Sequence, residues 1–139
     1  MIAERKGIAA GKVFGQAAKD GSFKGSGGTR FIEYSDYWLL INHQKSAYNP
    51  CFYINVGLFY KELLMHPLND EDIESAFKSS APVWPHVSFR VENCPGMPDN
   101  LLKLIDRCVE QEASDKLAEV LRDTLFRLLS FMEKTTIDT

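Results

Sequence analysis

Three residue types here can supply a base, a nucleophile or an electrostatic clamp: histidine, cysteine and arginine. His43, His66 and His86 show no HExxH-type metal spacing, and Cys51, Cys94 and Cys108 contain no CxxC pair. No GxSxG elbow occurs, and the carboxylates gather in helical stretches. A Cys/His nucleophilic pair would have to be assembled by the fold, because such partners meet only in space. The stretch Gly21–Gly28 (GSFKGSGG) is a loop by composition and carries a lysine. A Walker-type phosphate loop leads into a helix whose first amides face the phosphate. These glycines lead instead into Thr29–Tyr34, which reads as a strand, so a phosphate cradle of that kind is not expected. Neither a cofactor nor a bound metal is expected.

A different polar set recurs at strand spacing. Tyr37–Lys45 and Cys51–Tyr60 read as strands joined through Tyr48, Asn49 and Pro50, which is hairpin chemistry. Along the second strand Phe52, Ile54, Val56 and Leu58 point one way, and Tyr53, Asn55 and Gly57 the other. Pairing Lys45 with Phe52 sets Ile41 against Val56 and Leu39 against Leu58, which builds an apolar face that also takes His43. The same register sets Asn42 against Asn55, Gln44 against Tyr53 and Leu40 against Gly57. A one-residue slip would mix the two sets, so the pattern selects this register.

A third strand, His86–Glu92, puts Val87, Phe89 and Val91 inward and His86, Ser88 and Arg90 on the polar face. The candidate site is therefore Asn42, Gln44, Tyr53, Asn55, His86 and Arg90, with Trp38, opposite Phe59, as an aromatic anchor at its edge. Asparagine is depleted in strands, so two side by side call for a reason. Planar amides beside a guanidinium suit a carboxylate, a phosphate or a peptide backbone. The plain alternative is a solvated or internally hydrogen-bonded sheet face.

The elements that must hold this face are helical. Residues 3–19 carry the buried-helix stripe Ala10, Val13, Phe14 and Ala17, although Gly7, Gly11 and Gly15 each lower helix propensity by about 1 kcal/mol relative to Ala. Asn69–Ser79 opens with an N-cap signal, Asn69 before Asp70, Glu71 and Asp72. Pro98 precedes the stripe Leu101, Leu104, Ile105 and Cys108, and Ser114 caps a longer helix striped by Leu117, Leu121, Leu125, Leu128 and Met132. The expected fold is α+β: a mainly antiparallel sheet of three to five strands with helices packed on one face and a C-terminal helical pair.

Composition bounds the rest. The chain has 139 residues and is 45% hydrophobic, which suits one domain over 1–139 with its own core. Unpaired cysteines, the lack of a leader-like apolar run and the lack of a membrane-length segment together point to the cytoplasm. Lys and Arg number 16 against 19 Asp and Glu, so a broad basic surface for nucleic acid is not expected. Residues 1–30 are nevertheless basic, with Arg5, Lys6, Lys12, Lys19, Lys24 and Arg30 against Glu4 and Asp20, and can face an acidic partner.

The runs FKGSGGTRFIEY, LLINHQKS, CFYINVGLF and HVSFRV resemble the bacterial DUF4304 family. Its members share an N-terminal helix, an FKK-G-type turn, a strand ending in a Q-K-S-like tripeptide, an FYIN-x-G strand and a later arginine. Those features fall here on Phe23, Lys24 and Gly25, on Gln44, Lys45 and Ser46, on Phe52 to Asn55 with Gly57, and on Arg90. The resemblance spans roughly residues 5–95, and Val87, Ser88 and Phe89 replace a tryptophan expected before the arginine. It implies no activity, but its recurring positions Gln44, Asn55 and Arg90 lie on the polar face. The expected function is a non-enzymatic binding or immunity-type module whose partner is another protein or a second copy. The alternative is a small hydrolase or transferase for an anionic substrate, with His86 as base and Arg90 as clamp.

Overall fold

The computed structural model describes residues 10–45, 52–78 and 84–137. Its elements run α1 (Ala10–Asp20), β1 (Thr29–Glu33), β2 (Tyr37–Lys45), β3 (Phe52–Tyr60), α2 (Asp70–Glu74), β4 (Val87–Arg90), α3 (Leu101–Glu110) and α4 (Ser114–Ile137). The strands form one antiparallel sheet in the order β1-β2-β3-β4. The α+β architecture is the one the patterns predict. The β2–β3 register is also the predicted one, with Lys45 facing Phe52, Asn42 facing Asn55 and Trp38 facing Phe59. Residues 3–9, Cys51 and the turn at 46–50 lie outside the described residues.

One face of the sheet carries the main core. Leu39, Ile41, Ile54 and Val56 are buried there against Phe14, Ala17 and Ala18 of α1, Leu101 and Ile105 of α3, and the whole α4 stripe from Leu117 to Met132. Each of the large apolar side chains among them contributes roughly 1.5–3 kcal/mol when fully buried. The chain reverses between α3 and α4 by a Schellman turn: the Ala113 amide donates to the Cys108 carbonyl at 2.9 Å and the Glu112 amide to that of Val109 at 3.1 Å. Glu112 occupies the left-handed position, φ 54°, that glycine usually fills. Ser114 is the first helical residue, and the Ala113 carbonyl accepts the Leu117 amide, so serine does not provide the expected cap.

The opposite face departs from expectation. Helices α1, α3 and α4 pack on one face, but the 64–77 segment crosses the other. There Leu68, Ile73 and Ala76 seal a second, smaller core with Phe31, Trp38, Leu40 and Phe59. Asn69 does cap α2: its side chain accepts the Asp72 amide at 2.9 Å, and the Asp72 carboxylate accepts the Asn69 amide at 3.1 Å. Gly57 lets this cover come close, since a Cβ there would stand 2.9 Å from Phe77 and 3.0 Å from Pro85.

The third predicted strand is shorter than its pattern. β4 ends at Arg90, and Val91–Asn93 forms a 3-10 turn that buries Val91. Because β4 is an edge strand, its inward alternation does not seal it: Val87 is 40% exposed and Phe89 half-buried, where both were expected inside. The other residues expected in the core, Ile41, Ile54, Val56, Leu121 and Leu125, are buried.

Candidate functional site

Strand pairing lines up Thr29, Asn42, Asn55 and Arg90 in a single row across all four strands, on the face opposite the main core. The next row along, Phe31, Leu40, Gly57 and Ser88, already lies partly under the 64–77 segment. The face is thus graded from a covered apolar end to an open polar end. The amides of the polar row are ordered by one another. Asn42 Nδ2 donates to Thr29 Oγ1 at 2.9 Å, while Asn55 Nδ2 donates to Asn42 Oδ1 at 3.1 Å and to Gln44 Oε1 at 2.8 Å. This ladder uses both N–H groups of Asn55. Among the described residues it leaves Asn55 Oδ1 without a donor and the Gln44 amide N–H groups without an acceptor.

Arg90 ends the row. Its guanidinium carbon lies 3.8 Å from the centroid of the Tyr53 ring, and no acidic side chain pairs with it among the described residues. A stacked guanidinium keeps its edge N–H donors turned outward in a plane, the geometry that grips a carboxylate. Asn42, Gln44, Asn55, Ser88 and Arg90 line an open recess of about 520 Å³ whose apolar side is Phe77 and Trp84. Trp84 is 56% exposed.

Five of the seven predicted site residues, Asn42, Gln44, Tyr53, Asn55 and Arg90, therefore come together. Trp38 does not form an edge anchor. It is 4% exposed, set edge-on to Phe31 at 5.6 Å in the second core, with Lys61 Nζ 5.7 Å from its ring. Trp84 takes the aromatic position at the rim. It sits beside residues 79–83, outside any strand or helix, so no periodic pattern marked it. His86 stands apart as well: its Nδ1 accepts the Tyr60 amide at 2.9 Å, and its ring stacks on Tyr60. It lies four residue steps from Arg90 along the extended chain, roughly 13 Å.

His43 lies on the apolar face, as expected, between the rings of Phe14 and Phe52. Burial, then the Lys45 charge, hold its imidazole below the ordinary histidine range. Cys94 and Cys108 are free, and burial pushes both thiols up, away from nucleophilic character; Cys51 lies outside the described residues. Among the described residues no group of histidine, cysteine and carboxylate side chains is placed to hold a metal, and no helix is long and apolar enough to cross a membrane.

A family model described as a domain of unknown function (DUF4304) matches residues 14–130. The match takes in α3 and most of α4, beyond the strands that carry the resemblance in sequence. No curated protein and no solved structure matches the chain.

Proposed function

The chain belongs to the DUF4304 family, and we propose that it is a binding module whose polar recess takes a carboxylate-bearing segment of a partner protein. The observation that carries this reading is Arg90, a cation laid on Tyr53 without an acidic partner among the described residues, at the end of an amide row whose members are hydrogen-bonded to one another. A solvated sheet face has no need to order its amides this way. Here the ladder fixes which groups remain: the Asn55 carbonyl as acceptor, and the Gln44 amide and Arg90 as donors. That alternation complements a peptide unit next to a carboxylate. The recess is of ordinary ligand-pocket size, and Trp84 offers a rigid ring at the rim, as hot-spot residues do.

An enzymatic centre on His86 and Arg90 is disfavoured by geometry, because His86 Nδ1 is engaged by a backbone amide at the far end of β4. The binding reading assigns the module to a reducing cytoplasm, which the free thiols of Cys94 and Cys108 support.

Peptide arrays displaying each sequence with free and with amidated carboxylates test the proposal. The native chain should retain acidic peptides and release their amidated forms. Arg90→Ala should weaken retention about tenfold or more, equivalent to about 1.4 kcal/mol, and Trp84→Ala should weaken it to a lesser degree. Indifference to amidation, or full retention by a folded Arg90→Ala chain, would overturn it.

A further inference from the structure

The helical face at the same end of the sheet carries a second surface with different chemistry. Lys12 and Lys19 from α1, Arg30 from β1, and His43 and Lys45 from β2 surround a groove of about 640 Å³ with Ser26, Gly27 and Gly28 of the glycine-rich loop. Among the described residues no carboxylate lines it. The nearby acids are engaged: Asp20 accepts from Gln16 and lies 3.9 Å from Arg122, and Glu74 accepts the Ser26 amide at 3.2 Å. Lys12, Lys19 and Lys45 have no acidic partner among the described residues.

Arg30 organises the loop rather than serving as a free charge. Its guanidinium donates to the carbonyls of Gly27, Ser26 and Gly15, at 2.8, 3.3 and 3.4 Å. It lies so close to α1 that a Cβ at Gly15 would stand 2.7 Å from it. With those carbonyls held on arginine, the amides of Gly27 and Gly28 have no acceptor among the described residues.

The placement of two glycines adds a second observation. Gly11 and Gly27 both line the groove, neither has a left-handed φ, and a Cβ on either would meet nothing within 4 Å. Neither the backbone conformation nor packing against the described residues therefore requires glycine at these positions. Gly11 even weakens the helix it sits in. A ligand brought against the backbone does require it, because a methyl group would occupy the ligand's space.

We infer that this groove binds a phosphate-bearing small molecule, held by Lys12, Lys19 and Lys45 and by the backbone amides of Gly27 and Gly28. The lysines are compact point charges on two separate elements, which suits a many-oxygen tetrahedral anion better than a planar carboxylate. The mode differs from a Walker loop, since the glycines run into β1 and the charge comes from α1 and β2. The groove is also independent of the amide recess, which opens on the opposite face.

Inorganic triphosphate is the probe, followed by calorimetry and thermal unfolding at constant ionic strength. Saturable binding is expected, with a Tm that climbs as triphosphate is raised. Lys12→Gln and Lys45→Gln should each weaken affinity about tenfold while leaving the unliganded Tm unchanged, as expected for exposed side chains. Gly11→Ala should raise the unliganded Tm and yet weaken triphosphate about tenfold, a split that a purely structural glycine does not produce; Gly27→Ala should likewise lose affinity. The inference is overturned by the absence of saturable heat, or by unchanged affinity in both glycine variants. It is equally overturned if an oligoglutamate peptide of matched charge competes as strongly as triphosphate, which would reassign the groove to acidic proteins.

Discussion

The guanidinium of Arg90 rests on the ring of Tyr53, two residues along β3 from Asn55, the residue Arg90 faces across the strands. This diagonal contact lets an edge strand present a cation in a fixed plane. The pair is worth about 0.5–1 kcal/mol at an exposed site, but its larger consequence is orientation. Tyr53→Leu should therefore weaken acidic-peptide retention severalfold without unfolding the chain. Arg90→Lys should not restore what Arg90→Ala loses, since an ammonium lacks the planar fork. Retention by Arg90→Lys equal to the native chain would argue against bidentate recognition.

His86 has a structural task, and its removal should show only that. Loss of the acceptor for the Tyr60 amide should lower stability in chemical denaturation by about 0.5–1.5 kcal/mol, with peptide retention unchanged. A His86→Ala chain that is fully folded and no longer retains acidic peptides would return His86 to the site.

The core assignments separate two valine and leucine positions that look alike in sequence. Leu121→Ala, fully buried on α4, should cost about 2–5 kcal/mol. Val87→Ala, 40% exposed on the edge strand, should stay within about 0.5 kcal/mol. Urea unfolding of both variants decides the matter, and comparable losses would place Val87 in a core.

The second core depends on a capped helix of a single short run. Asn69→Ala removes the cap and should cost about 0.5–2 kcal/mol. Its particular signature is optical. In a Trp84→Phe background, Trp38 should emit as a buried indole, and Asn69→Ala or Ile73→Ala should shift it to the red as the cover loosens. An unshifted spectrum in the Ile73 variant would mean that the 64–77 segment does not shield Trp38.

His43 gives stability a pH dependence of known sign. Burial between Phe14 and Phe52, and then the Lys45 charge, depress its folded-state pKa below the ordinary value of 6.5. The folded state therefore favours neutral imidazole. That contribution is fully present above the unfolded-state pKa and is lost as pH falls from there through the folded-state value. The native chain should lose stability on acidification below about pH 6.5, and His43→Phe should lose less over the same range. Parallel pH profiles for the two chains would show that His43 does not titrate differently on folding.

Period-two alternation made the sheet legible. Only one register of β2 on β3 keeps Ile41, Ile54 and Val56 together and Asn42, Asn55 and Gln44 on the other side, so local residue type selected the pairing and, with it, four members of the site, to which the alternation of β4 adds Arg90. The α4 stripe and the Asn69 cap were equally local, and both stand where the pattern put them. The fate of Trp38 was not local. Alternation assigns it correctly to the polar side, but whether that side is wet depends on where residues 64–77 return, and the alternation of β2 does not contain that path.

What the sequence by itself determined is therefore the set of faces: which residues share one side of a strand or helix, and in what order they meet across the hairpin. Periodicity carries this because side-chain direction follows from backbone geometry alone. Only the tertiary structure decided what each face meets. It covered Trp38 with Ile73 and Ala76, and it put Trp84 at the rim of the recess. It also brought Lys12 and Lys19 of α1 to Lys45 of β2, because α1 packs against α4 and the main core. Such meetings join segments far apart along the chain, and they are set by how apolar areas and volumes fit together rather than by any short run of residues.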